Sequence, residues 1–254
     1  MIVEVKKENG FSFVEEGEGE VLLLLHGLFG ALSNWEYVLE KFAPKYKVVI
    51  PLMPIYDLPL LGANVDALAK FIHKFVQYKK FNQVTLLGNS LGGHVGLVYT
   101  LTHPEHVKAM MLTGSSGLYE EGMGGTYPKR EDYNYIKERV EYTFYDPKTA
   151  TKELVDEVFE VVNNRNKILR ILSMAKSAMR HNLRKEVPKI TIPVSLIWGR
   201  NDTITPAEVG EEFHSLFPNS ELTFIDKCGH AAMMERPEEF NEILDVFLTK
   251  VYSK

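Results

Sequence analysis

Gly88-Asn89-Ser90-Leu91-Gly92 sets a serine between two glycines, directly after an apolar run at 84–87 and directly before a helical pattern over 91–101. At a sharp strand-to-helix turn a serine is held in strained backbone geometry, and side chains at the flanking glycine positions would collide with neighbouring chain. The start of the following helix presents unpaired amides that favour negative charge developing nearby. This context makes Ser90 a candidate nucleophile. A serine hydroxyl is weakly nucleophilic and needs a base within hydrogen-bond reach. His230 can supply it, in Asp226-Lys227-Cys228-Gly229-His230, after the apolar stretch at 222–225 and before a helix that opens at Pro237. The other histidines are poorer candidates: His94 runs along the helix after Ser90, His103 and His106 flank a proline turn, and His73 and His214 sit in helical patterns.

A base of this kind requires a carboxylate that fixes the imidazole tautomer. Asp202, in Gly199-Arg200-Asn201-Asp202, leaves the strand pattern at 194–198, and the order Ser90, Asp202, His230 suits a strand-turn-helix nucleophile. Asp226 competes for the role but stands four residues before His230, where a turn-capping aspartate is common. Two N–H donors must face the oxyanion of a tetrahedral intermediate. The amide of Leu91 is one; the other is expected from His26-Gly27-Leu28-Phe29-Gly30, with Leu28 donating, Phe29 shaping the pocket and His26 bracing the loop.

The elements that must position these groups follow from periodicity. Residues 2–6 and 11–15 alternate around Asn9-Gly10 and predict an edge hairpin. Continuous apolar runs at 21–25, 47–50, 84–87, 107–112, 194–198 and 222–225 predict strands buried on both faces, separated by amphipathic helices. Strands alternating with helices imply an α/β architecture with a mostly parallel sheet covered on both sides. The alternation stops between about residues 116 and 187, where helical patterns at 135–142, 154–162 and 168–179 follow a glycine- and tyrosine-rich opening. That stretch is expected to form a helical cap over 117–187, between core segments 1–116 and 188–254, with Gly117, Gly122, Gly124 and Gly125 as its hinge.

With 254 residues, 45% hydrophobic and 25% charged, the chain can bury a full core. A net charge of -5 and a pI near 5.9 argue against nucleic acid or an anionic membrane as the main partner and leave small molecules. The start of the chain lacks a signal-peptide pattern, and the aliphatic run at 21–25 is far short of the ~20 residues of a spanning helix. The single cysteine, Cys228, excludes an intramolecular disulfide and suits a reducing cytoplasm. No metal, nucleotide or other cofactor is implied, since HExxH, EF-hand and GxxxxGK motifs do not occur. No feature sets an oligomeric state.

HGLFG, GNSLGG, GRND and CGH, in this order and spacing, resemble the α/β-hydrolase superfamily over nearly the whole chain. The resemblance implies an eight-stranded, mostly parallel sheet flanked by helices, a helical cap after the sixth strand, and hydrolysis through an acyl-enzyme. GNSLGG, WGRND and CGHAAMMERPEEFN are similar to the capped group that holds small carboxylesterases and carbon–carbon bond hydrolases of aromatic ring-fission products. The carbon–carbon hydrolases usually carry an aromatic residue soon after the histidine, where this chain has Ala231, Ala232, Met233 and Met234. In related enzymes a cap arginine meets an acidic substrate group, which makes Arg180 a candidate; Met174, Met179, Met233 and Met234 are candidates for an adaptable apolar wall. Three readings remain: hydrolysis of a small carboxylic ester, carbon–carbon hydrolysis of a diketone acid, and a slow-turnover ligand receptor on the same fold.

Overall fold

A computed structural model of the chain describes residues 4–30, 32–119 and 129–253. Its strands are β1 (Lys6–Glu8), β2 (Phe11–Glu16), β3 (Val21–Leu25), β4 (Lys47–Pro51), β5 (Val84–Asn89), β6 (Val107–Thr113), β7 (Val194–Gly199) and β8 (Ser220–Ile225). They form one eight-stranded sheet in the order β1-β2-β4-β3-β5-β6-β7-β8. β1 and β2 are antiparallel to their neighbours, and every pairing from β4 through β8 is parallel.

Period-two alternation splits the buried strands between two cores. In β3, Leu23 and Leu25 pack with helices α2 (Val65–Lys79) and α3 (Leu91–Thr102) on one face, whereas Leu22 and Leu24 pack with α1 (Glu36–Phe42) and α9 (Pro237–Tyr252) on the other. All four leucines are fully buried, each contributing about 1.5–3 kcal/mol by leaving water. Between β6 and β7 lie α4 (Tyr133–Glu141), α5 (Lys152–Asn163) and α6 (Arg165–Arg180), with no strand among the described residues of that stretch. Asp132, Thr151 and Asn164 cap them by accepting first-turn N–H groups. Helices α7 (Ala207–Leu216) and the single-turn α8 (Ala232–Glu235) follow β7 and β8.

The first strand differs from the alternation pattern. It spans Lys6–Glu8, and residues 2 and 3 of the expected 2–6 strand lie outside the described residues. Asn9 and Gly10, with φ of 48° and 80°, form a two-residue turn that pairs Glu8 with Phe11. Turn geometry thus draws the charged Lys7 and Glu8 into the ladder, where an edge strand tolerates them.

Candidate active site

Ser90 ends β5 and opens α3 with φ 53° and ψ −121°, a conformation costly for a non-glycine residue and held by its surroundings. Its N–H donates to Thr113 O on the neighbouring strand (3.2 Å), and its carbonyl accepts from His94 N and Ser116 N. A Cβ at Gly92 would drive into the Leu25 carbonyl, so only glycine lets α3 start this close to β3. Asn89 donates through Nδ2 to both Thr113 O (3.1 Å) and His230 O (3.2 Å), tying the serine turn to the histidine loop.

His230 and Asp202 meet at the same edge. The imidazole Nδ1 lies 2.9 Å from Asp202 Oδ2, and the carboxylate side chain is completely buried. Asp202 Oδ1 accepts from the N–H groups of Ile204 (2.8 Å) and Thr205 (2.9 Å), and Oδ2 accepts from Thr205 Oγ1 (2.9 Å). Three donors hold the carboxylate in place, and its acceptor oxygen facing Nδ1 suits an N–H there, which leaves Nε2 as the basic nitrogen. Asp226 is 78% exposed and pairs with Arg200 Nε at 2.6 Å. It takes no part in this arrangement.

Ser90, His230, Leu28, Phe29 and Leu91 open together onto a cleft of about 1310 Å³, its mouth included. Gly30 N closes the 27–30 turn on Gly27 O (3.2 Å). The buried His26 braces it by accepting from Met53 N at Nε2 (3.0 Å), and burial holds its pKa below the usual imidazole range. The remaining wall is mostly aliphatic and comes largely from α4, α5 and α6: Val140, Leu154, Val158, Ile171, Leu172 and Met179.

Three expected wall residues are elsewhere. Met174 is fully buried among Ile168, Ile171 and Ala178 and does not reach the cleft, because at ~100° per residue it is turned away from Leu172 and Met179. Arg180 is exposed on the outer side of the same helix and is absent from the cleft wall; the cationic groups there are Arg139 and Lys176. Met233 is buried in the opposite core with Trp35 and Phe240, while Met234, one position on, lines the cleft. Cys228 is buried, and burial together with the Glu235 charge pushes its thiol well above the ordinary range, which leaves it unreactive.

Sequence patterns did not disclose Glu235. Its Oε2 accepts from Gly229 N and its Oε1 from Asp146 N, both at 2.6 Å, while His230 N donates to Thr143 O (2.9 Å) and Thr203 Oγ1 to Tyr142 O (2.8 Å). The turn after α4 is thereby fastened to the loops that carry His230 and Asp202. In Glu235→Gln the amide NH₂ must oppose one of the two backbone donors, leaving an N–H without its acceptor at a cost of about 1–3 kcal/mol. The expected result is a Tm lower by several degrees and a several-fold fall in kcat, read by calorimetry and steady-state kinetics; an unchanged kcat would separate the clamp from His230.

The sheet order, the serine turn and the buried aspartate–histidine pair define an α/β-hydrolase. The chain belongs to this family: the alpha/beta hydrolase fold model matches residues 20–141 and 129–237. It is a hydrolase of this fold. It is similar, at 44% identity over 97% of this chain and 98% of the other with a TM-score of 0.81, to MGS-MChE2, an α/β hydrolase enzyme from the metagenome of sediments of the Mar Chica lagoon, Morocco. It is also 27% identical to the 2-hydroxy-6-oxo-6-(2'-aminophenyl)hexa-2,4-dienoic acid hydrolase of Metapseudomonas resinovorans, over 94% of this chain and 87% of that protein. The monoacylglycerol lipase ABHD6 of Bos taurus is 26% identical over 93% of this chain and 77% of its own.

Proposed function

We propose that this chain hydrolyses a small carboxylic ester through an acyl-enzyme on Ser90, without a cofactor. One observation carries the reading: a buried, fully hydrogen-bonded Asp202 orients His230, which opens with Ser90 onto a single apolar cleft. His230 Nε2 takes the Ser90 proton as Oγ adds to the acyl carbonyl, while the Leu28 and Leu91 amides hold the oxyanion. Imidazolium then protonates the departing alkoxide, and the freed Nε2 activates the water that releases the acid. The segment 117–187 acts as a cap that supplies shape and excludes water, with 1–116 and 188–254 as the catalytic core. The lone buried cysteine supports a cytoplasmic setting.

Carbon–carbon hydrolysis of a diketone acid is the second reading. Arg139 and Lys176 favour it, as cations in a wall that has no aspartate or glutamate among its described residues. The test is a comparison of kcat/KM on short and medium p-nitrophenyl esters and on a ring-fission diketone acid, with fluorophosphonate labelling to find the nucleophile. Ester turnover is expected to exceed diketone turnover, with label on Ser90 and none on Ser90→Ala. A label elsewhere, or full turnover by Ser90→Ala, overturns the mechanism; preference for the diketone transfers the substrate class.

A further inference from the structure

The charge of this chain is segregated. Residues 164–185 hold seven lysines and arginines and no aspartate or glutamate, a net +7 within a total of -5, which leaves −12 for the rest. Helix α6 occupies most of that stretch. Ile168, Ile171, Met174 and Ala178 form its buried side, and Arg165, Leu169, Lys176, Met179 and Arg180 stand exposed on the other. Arg184 pairs with Glu212 and Lys167 lies over the Tyr56 ring, whereas Arg165, Lys176 and Arg180 have no carboxylate partner among the described residues.

The same face is apolar as well as basic. Arg170 Nε donates to Leu58 O (2.7 Å) and Ser173 Oγ to Ala63 O (3.3 Å), which fixes the Leu60–Gly62 turn beside α6. Leu61 is wholly solvent-exposed there, and Leu60 and Leu169 are each 42% exposed. Leu172, Lys176 and Met179 belong at once to this helix and to the wall of the cleft. Exposed cations, protruding leucines and the entrance to an apolar cleft therefore share one side of the molecule.

We propose that this face docks on a negatively charged lipid surface. A cation near such a surface raises partitioning about fivefold, and exposed aliphatic side chains gain by entering the boundary between headgroups and acyl chains. Nucleic acid would satisfy the cations but leave Leu60, Leu61 and Leu169 in water, and a second copy packed face to face would set like charges against each other. The net negative charge of the whole chain does not oppose docking, because charges beyond the ~8–10 Å Debye length are screened. Under the ester-hydrolase reading, the docked face presents the cleft mouth to an apolar substrate held in the lipid.

The experiment is co-sedimentation of the full chain with phosphatidylcholine vesicles made with and without phosphatidylglycerol. Binding is expected only to the anionic vesicles and is released by high salt. Leu61→Glu, and separately the double variant Arg165→Glu/Arg180→Glu, should weaken it by ~10-fold or more, with circular dichroism and turnover of a short soluble ester unchanged. Ser90→Ala should bind as the parent does, so loss of esterase activity strikes the hydrolase reading and not this one. Absence of binding, equal binding to both vesicle types, or self-association abolished by Leu61→Glu without vesicle binding overturns the proposal.

Discussion

Asp202→Asn is expected to lower kcat/KM by about 10⁴-fold, close to 5.5 kcal/mol of transition-state stabilisation, with the fold intact. The carboxylate accepts from two backbone N–H groups at Oδ1, so an asparagine at this position must keep its oxygen there. Its NH₂ then occupies the Oδ2 position, 2.9 Å from both Thr205 Oγ1 and His230 Nδ1. The threonine hydroxyl can rotate to accept. The imidazole can accept only by moving its proton to Nε2, and a histidine protonated at Nε2 cannot take the serine proton. Asp226→Asn removes an exposed partner of Arg200 and should change kcat/KM by less than about twofold. Steady-state kinetics on one ester substrate, with circular dichroism as the folding control, decides the matter; the reverse ranking of the two variants would refute the assignment of Asp202.

What the sequence discloses is set by how each residue reaches the site. Ser90, Asp202 and His230 leave the C-terminal ends of β5, β7 and β8, and parallel strands bring those ends to one edge whatever the intervening helices do. Identifying the strand exits was therefore enough to gather them. Pocket residues depend on helix phase. Met174 and Met179 share a helix and a chemistry, yet only Met179 reaches the cleft; Met233 and Met234 are neighbours packed on the same core, yet only Met234 reaches the cleft. Residue type cannot distinguish them without a reference for rotation. The pattern of buried positions 168, 171, 174 and 178 supplies that reference for α6, and apolar spacing alone could have placed Met174 inside. Arg180 entered through the resemblance to enzymes with a cap arginine, and the cleft wall holds Arg139 and Lys176 in its place. Gly122, Gly124 and Gly125, expected to form a hinge with Gly117, lie outside the described residues; Gly117 has φ 120°, and its carbonyl accepts from Leu183 N, so the two ends of the helical stretch are tied to each other. Glu235 escaped notice because its partners are backbone amides of Gly229 and Asp146, which leave no mark in composition or spacing.

Gly114→Ala is expected to cost about 10²-fold or more in kcat/KM through His230 alone. Gly114 follows β6, beside the β5 end that carries Ser90, and has φ 52°. A Cβ there would stand 2.8 Å from His230 Nδ1, 3.0 Å from Cε1 and 2.8 Å from the His230 carbonyl oxygen, distances at which something must shift. The oxygen is the anchor point for Asn89 Nδ2, and Nδ1 is the atom that meets Asp202, so neither can retreat without breaking a contact that orients the ring. The new methyl group acts by displacement, since it neither adds nor removes a proton donor. A shift of ~1 Å in a catalytic group costs about 10²-fold. The left-handed backbone adds ~1–2 kcal/mol of strain, lowering Tm by several degrees without unfolding the chain. Because Ser90 and the oxyanion donors are untouched, the variant should still bind a substrate-like inhibitor while its labelling by fluorophosphonate slows in step with turnover. Normal labelling with impaired turnover would place the damage after acylation, and normal kinetics throughout would show that the histidine loop has room that the structure does not give it.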